Sequence, residues 1–345
     1  MIPFDSERWT FEVQGSELVE HLGRQSLFLK DGRVWLRDVE LLNGVIEFDV
    51  ALPKERSFIG AFWRMQDSRN YEHFYLRPQQ SGQPDACQYT PVINGVSAWQ
   101  LYSGPGHAAV IDFEPDAWTS VKIEIWDDAA RVHVDGAPLM IIHDLKREPA
   151  PGRIGLEVPA FAPAHFSRFR CRKLEQEPFE RPAASKATAP AGTVRSWSVS
   201  SVFPEASLLG NHWIDPTLDQ NLEWTTLASE ESGIANLARV QGLDVGDTCS
   251  ARIVMDVEHE QSVDFTFGFS DRVRVYLDGC LIYAGDNSYR SRDHRFLGTI
   301  GPFDRLILPL HAGPNELRLA VSEGFGGWGL LGRLKPEVDI ASLSR

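Results

Sequence analysis

The run Tyr71-Glu72-His73-Phe74-Tyr75-Leu76-Arg77 alternates between apolar and chemically capable side chains. With Phe74 and Leu76 turned to a core, Tyr71, His73, Tyr75 and Arg77 share the opposite face of one strand. Arg64 ends the preceding strand, and Asp85, Gln88, Asn94, Trp99 and Gln100 follow within a few turns. Aromatic faces stack on the C–H surface of a pyranose, and amide, carboxylate and guanidinium groups hold its hydroxyls. These residue types suit sugar recognition, with Arg64, Tyr75, Arg77, Gln88, Trp99 and Gln100 as the expected contacts. The competing reading is that Tyr and Trp decorate a sheet because they pack well on it. Were the site catalytic, His73, Asp85, His107 or Glu72 would supply the acid or base and Arg77 would stabilise charge. Strand parity turns Glu72 away from Tyr75 and Arg77, which favours His73, Arg77 and Asp85.

A second polar cluster spans Asp286 to Phe296, with Arg290 and Arg292, and a Trp among glycines follows in Gly324-Phe325-Gly326-Gly327-Trp328-Gly329. Arg290, Arg292 and Trp328 are therefore expected ligand contacts. The alternative pairs the two arginines with Asp286 and Asp293 and uses Trp328 to plug the end of a sandwich. Metal chemistry has little support, because no H-E-x-x-H motif and no close His–Cys pair exists among the ten histidines. The acidic run Asp112-Phe113-Glu114-Pro115-Asp116 offers oxygen ligands for a structural calcium ion, or is simply a solvated loop. No cofactor is expected otherwise. No phosphate-binding glycine motif and no G-x-S-x-G elbow is present. Cys87, Cys171, Cys249 and Cys280 are widely spaced and read as packed thiols.

The elements that carry these residues are strands. Short alternating runs such as Gly44–Val50, Val121–Ile125, Ser262–Phe267 and Arg272–Leu277 are bounded by Gly, Pro, Asp and Asn, Asp-Gly and Asn-Gly turns recur along the chain, and no long helical periodicity appears. The 345 residues, 43% hydrophobic and 24% charged, are enough for two cores. A break at 175–193, rich in Pro and Ala, divides 1–174 from 194–345. The expected fold is all-β: two antiparallel β-sandwich (jelly-roll) domains joined by that linker. A net charge of −14 opposes binding to nucleic acid or an anionic membrane surface, and no apolar stretch is long enough to span a bilayer. Met1–Arg8 lacks a basic region followed by an apolar one, the reading expected of a cytoplasmic protein. Oligomeric state is not legible.

Residues 1–174 resemble the concanavalin A-like lectin/glucanase jelly roll in its laminin-G-like form. The likeness rests on Gly44–Val50, Phe58–Arg64, Trp118–Ile125, Val132–Gly136 and Gly152–Leu156, in the family's order. Retaining glucanases of that fold carry Glu-x-Asp-x-(x)-Glu. Here Glu47-Phe48-Asp49 is followed by Val50-Ala51-Leu52, so the second glutamate is missing and Glu47 and Asp49 read as outward residues of a strand whose Ile46, Phe48 and Val50 are core. Residues 194–335 resemble a galactose-binding-domain-like jelly roll, carried by Arg272–Gly279, Leu306–Leu310 and Gly313–Val321. Together the resemblances imply a non-catalytic carbohydrate-binding protein whose partner is a glycan. They leave open a glycoside-processing hydrolase or lyase similar to the 3-keto-disaccharide hydrolases, and a structural protein-interaction module.

Overall fold

The computed structural model describes residues 1–180, 189–244, 246–293, 295, 297–336 and 338–341. Part of the expected linker, 181–188, lies outside them. Strands supply nearly all the regular structure of the described chain, and every described pairing is antiparallel. It divides into two compact units. The first holds Met1–Val92 and the chain from Tyr102 into the linker, and the second holds Ile93–Leu101 and the chain beyond the linker. The expected domain 1–174 is thus interrupted. Ile93 and Val96 belong to the second unit's core because that core, not the first, buries their apolar side chains.

In the first unit the strands hydrogen-bond in the order Ala137–Ile142, Ala129–Val134, Trp118–Trp126, Gly44–Ala51, Ala164–Lys173, Arg24–Leu41, Gly152–Val158, Ile59–Asp67, Asn70–Leu76 and Cys87–Ile93. The long strand Arg24–Leu41 serves both layers. Leu27–Leu29 pair with Ala164–Phe166, and Gly32–Leu41 pair with Gly152–Val158. The change of partner falls at Asp31 and Gly32, both at positive φ. A Cβ on Gly32 would lie 2.1 Å from Glu12 O, so only glycine lets the strand cross there.

Alternation then fills the interior. Val34 and Leu36, Ile46, Phe48 and Val50, Phe74 and Leu76, Ile154, Leu156 and Val158, and Phe166 all point into one core. Each such side chain contributes about 1.5–3 kcal/mol by leaving water. As the sequence predicts, Glu47 and Asp49 lie on the other face of their strand. Asp49 is held there by Arg24 at 2.6 Å, an occupation that suits structure rather than glucanase chemistry.

The second unit stacks two sheets. One orders Trp224–Ala228, Ser196–Ser200, Thr248–Val257, Gly313–Ser322, Arg272–Leu277 and Cys280–Asp286. The other orders Ala235–Asn236, Gly329–Lys335, Gln261–Ser270 and Asp304–Leu310. Trp197, Val199, Ile253, Phe265, Phe267, Leu319 and Trp328 fill the space between them.

Candidate functional site

Register assembles the candidate site on the face of the first unit's sheet that looks away from the core. Arg33 lies opposite Glu157, Glu157 opposite Gly60, Gly60 opposite Tyr75 and Tyr75 opposite Gln88. This is one unbroken row across five strands. The adjacent row on the same face runs Trp35, Gly155, Phe62, His73 and Thr90. The strand Asn70–Leu76 therefore presents Tyr71, His73 and Tyr75 outward while Phe74 and Leu76 face the core, as its alternation predicts.

The polar groups of this face are only partly satisfied. Arg33 donates to Glu157 Oε1 at 3.0 Å and lies 4.4 Å over the Tyr71 ring. His73 Nε2 sits 3.7 Å from Glu157 Oε2. Among the described residues neither of those two atoms has a hydrogen-bond partner, and neither does Arg77 Nε. His73 is 7% exposed. Burial pushes its pKa below the usual histidine value, partly countered by Glu157, so the imidazole is neutral at pH 7. Tyr75 donates from its hydroxyl to Gln88 Oε1 at 2.9 Å, and Gln88 donates in turn to Tyr102 O. Arg77 forms an ion pair with Asp85 and lies 5.4 Å over Phe58. Phe58 meets Tyr75 edge-on at 5.5 Å and Phe161 at 5.5 Å. Phe161 is 60% exposed, the open rim of this aromatic row.

Four expected residues, Tyr75, Arg77, Gln88 and Asp85, are thus on or beside one face with His73. Two residues that no sequence motif marked, Glu157 and Arg33, complete it. The signal for Glu157 was present: in Gly152–Val158 the residues Ile154, Leu156 and Val158 are core, which turns Arg153, Gly155 and Glu157 outward.

Other expected contacts lie elsewhere. Arg64 is 1% exposed and donates to Leu42 O and Asp127 O. Its φ of 50° at an irregularity of its strand turns it from the outer face into a buried cluster with Arg147, which donates to Arg64 O. Glu72, fully buried, faces the core side. It accepts from Tyr89 Oη at 2.6 Å and from Arg147 N at 3.2 Å, and burial raises its pKa. His107 stacks on Tyr89 and Tyr102 at 6.0 and 5.7 Å, so it pairs with rings rather than with the outer face.

Trp99 and Gln100 belong to the second unit, not to the sheet expected to hold them. Gln100 is fully buried, accepts from Ser270 and donates to Leu297 O, so hydrogen bonds within that unit occupy it. Trp99 packs edge-on against Phe325 at 5.7 Å and Tyr289 at 6.3 Å. Arg290 is exposed and lies 5.0 Å over Tyr289. Arg292 pairs with Asp304 at 2.6 Å rather than with the carboxylates of Asp286 or Asp293, and Asp293 pairs with Arg295. Trp328 is a core residue, 0% exposed, whose indole N–H donates to Val321 O at 3.0 Å. It does not reach a ligand surface.

Among the described residues no three His, Cys, Asp or Glu side chains converge as a metal site. Asp116, in the expected calcium loop, is exposed and pairs with Lys54 at 3.0 Å.

No family model and no curated protein matches the chain. Solved structures with similar folds include the carbohydrate binding module CBM66 from Bacillus subtilis, 15% identical, covering 48% of this chain and 96% of that one with a TM-score of 0.37. A putative glycosyl hydrolase from Parabacteroides distasonis is 15% identical over 49% of this chain and 94% of that one, with a TM-score of 0.35. A Bacillus subtilis protein of unknown function with a galectin-like fold is 13% identical over 48% and 89%, also at 0.35. With TM-scores this low, the strand order above and not these likenesses establishes the β-sandwich architecture.

Proposed function

We propose that the protein is a non-catalytic carbohydrate-binding protein and that the outer face of the first unit's sheet takes the sugar. The observation that carries this reading is the set of buried, unpartnered atoms His73 Nε2, Glu157 Oε2 and Arg77 Nε beside the rings of Tyr71, Tyr75 and Phe58. A buried donor or acceptor without a partner costs about 1–3 kcal/mol, so such atoms favour a ligand that satisfies them. A saccharide hydroxyl donates and accepts at once. It can donate to Glu157 while accepting from the N–H of the neutral imidazole, and the rings cover the sugar's C–H face. The laminin-G-like reading of this unit and the galactose-binding-like reading of the second belong to the same proposal. The test is isothermal titration of the full chain against a panel of neutral and acidic oligosaccharides. Saturable binding that weakens about tenfold or more in Glu157→Gln supports it, and absence of heat across the panel overturns it.

One observation favours a second reading, a glycoside-processing enzyme. A neutral imidazole 3.7 Å from a carboxylate is an arrangement suited to general acid–base work. In that case His73 and Glu157 carry the chemistry, since its ion pair with Arg77 occupies Asp85, the other candidate acid or base. Product analysis of the titration mixtures separates the two. A new sugar product that disappears with His73→Gln replaces the binding reading by the enzymatic one.

A further inference from the structure

The rim of the face carries a cation that the reading above does not use. Arg56 is exposed, and its guanidinium lies 5.4 Å from the centroid of Phe58 and 5.1 Å from that of Phe161. A cation–π contact of this kind does not consume the guanidinium's N–H donors, which stay available to a ligand. The segment that bears it is fixed from both sides. Ser57, fully buried, donates from its hydroxyl to Ala162 O at 3.1 Å and from its amide to Gln79 Oε1 at 3.1 Å. The first bond ties the backbone between Arg56 and Phe58 to the Phe161 loop, which brings the cation and both rings together.

The charge of Arg56 is also uncompensated. Arg33 and Arg77 on the same face are neutralised by Glu157 and Asp85. Arg56 pairs with no carboxylate among the described residues. In a chain of 48 acidic residues against 34 lysines and arginines, an arginine that forms no ion pair among the described residues and lies beside aromatic rings is suited to an anion from outside. The contacts from Phe58 to Tyr75 and from Tyr75 to His73 connect it to the unpartnered atoms.

Resting on the carbohydrate reading of this face, we propose that its ligand is an acidic saccharide and that Arg56 takes the saccharide's carboxylate. The ring of the acidic residue packs by Phe161, and the neighbouring unit reaches His73 and Glu157.

The experiment is calorimetric titration of the full chain with matched pairs: an oligogalacturonate against its carboxyl-reduced neutral counterpart, and sialyllactose against lactose, each at low and high salt. The expected result is that an acidic member binds about tenfold more tightly than its neutral partner. Salt narrows the gap, because the contact is partly exposed. Arg56→Gln abolishes the preference and Arg56→Lys keeps part of it, with unchanged melting temperatures showing that both variants fold. Equal binding of acidic and neutral members overturns the acidic-ligand proposal and leaves the carbohydrate reading standing. An acidic preference that survives in Arg56→Gln overturns the assignment to Arg56. Failure of every sugar to bind removes both.

Discussion

His73 and Trp328 show how burial serves two ends. The burial that makes His73 a neutral hydrogen-bonding partner also links it to pH. Its folded pKa is depressed, so as pH falls the unfolded chain takes up the proton first. Its contribution to stability is present above about pH 6.5 and is lost as pH falls through the folded value. Melting curves between pH 5 and 8 are expected to show wild type losing stability faster than His73→Gln below about pH 6.5; parallel curves would refute the burial argument. Trp328 stands among glycines in the sequence, which suggests a ligand loop, but its indole fills the second unit's core. Trp328→Ala should cost about 3–5 kcal/mol in denaturant unfolding. Phe161→Ala, at the exposed rim, should leave stability within about 0.5 kcal/mol and weaken sugar binding instead. A Trp328→Ala protein as stable as wild type would place that side chain outside the core.

At the scale of the element, parity was legible and register was not. The period of two in Tyr71–Arg77 was enough to separate its outward residues from Phe74 and Leu76, and to turn Glu72 inward. It failed at Arg64, because positive φ and the irregularity between Trp63 and Asp67 reverse the facing that simple alternation assigns. Glu157 and Arg33 were invisible as site residues for another reason. Their strands lie far from His73 in sequence, and only the pairing order of the sheet brings them alongside. Gly60 sits at the middle of the row that results. A Cβ there would lie 1.9 Å from Phe74 O and 2.7 Å from Tyr75 Cα, both backbone atoms that cannot swing aside. Gly60→Ala must therefore push apart the strands Ile59–Asp67 and Asn70–Leu76. The expected cost is about 1–3 kcal/mol or more in denaturant unfolding, with loss of sugar affinity because Tyr75 moves. A stable, fully binding variant would show that the row does not depend on this close approach.

Over the whole molecule, two all-β units separated near a Pro- and Ala-rich stretch could be read from composition, but the membership of Ile93–Leu101 in the second unit could not. That segment is contiguous with the first unit's strands in sequence, and only the packing of Ile93 and Val96 and the hydrogen bonds of Gln100 show where it belongs. Gln100 N donates to Gly326 O, beside a loop that two buried carboxyls hold from the other side. Asp271 accepts from the amides of Gly324 and Phe325, each at 2.9 Å, and Glu323 accepts from Gly327 N at 2.9 Å. Burial first, and then the negative Asp271, push Glu323 up to about 8, while the Gly327 N–H and then Arg272, itself paired with Glu205, pull the other way. A folded pKa raised above the unfolded value means that the folded chain binds the proton more tightly. The stability this supplies is complete below about pH 4.5 and is lost as pH rises through about 8. Glu323→Gln keeps an acceptor for Gly327 N and removes the titration. Its melting temperature should therefore gain on wild type steadily from about pH 4.5 to about pH 8 and hold a constant lead above that. About 1 kcal/mol moves the midpoint of a domain this size by about 2–4 °C, so scanning calorimetry across that range resolves the trend. A difference that does not change with pH would mean that Glu323 is ionised in the folded protein throughout, and that Asp271 and Glu323 hold the Gly324–Gly327 loop as a charged pair.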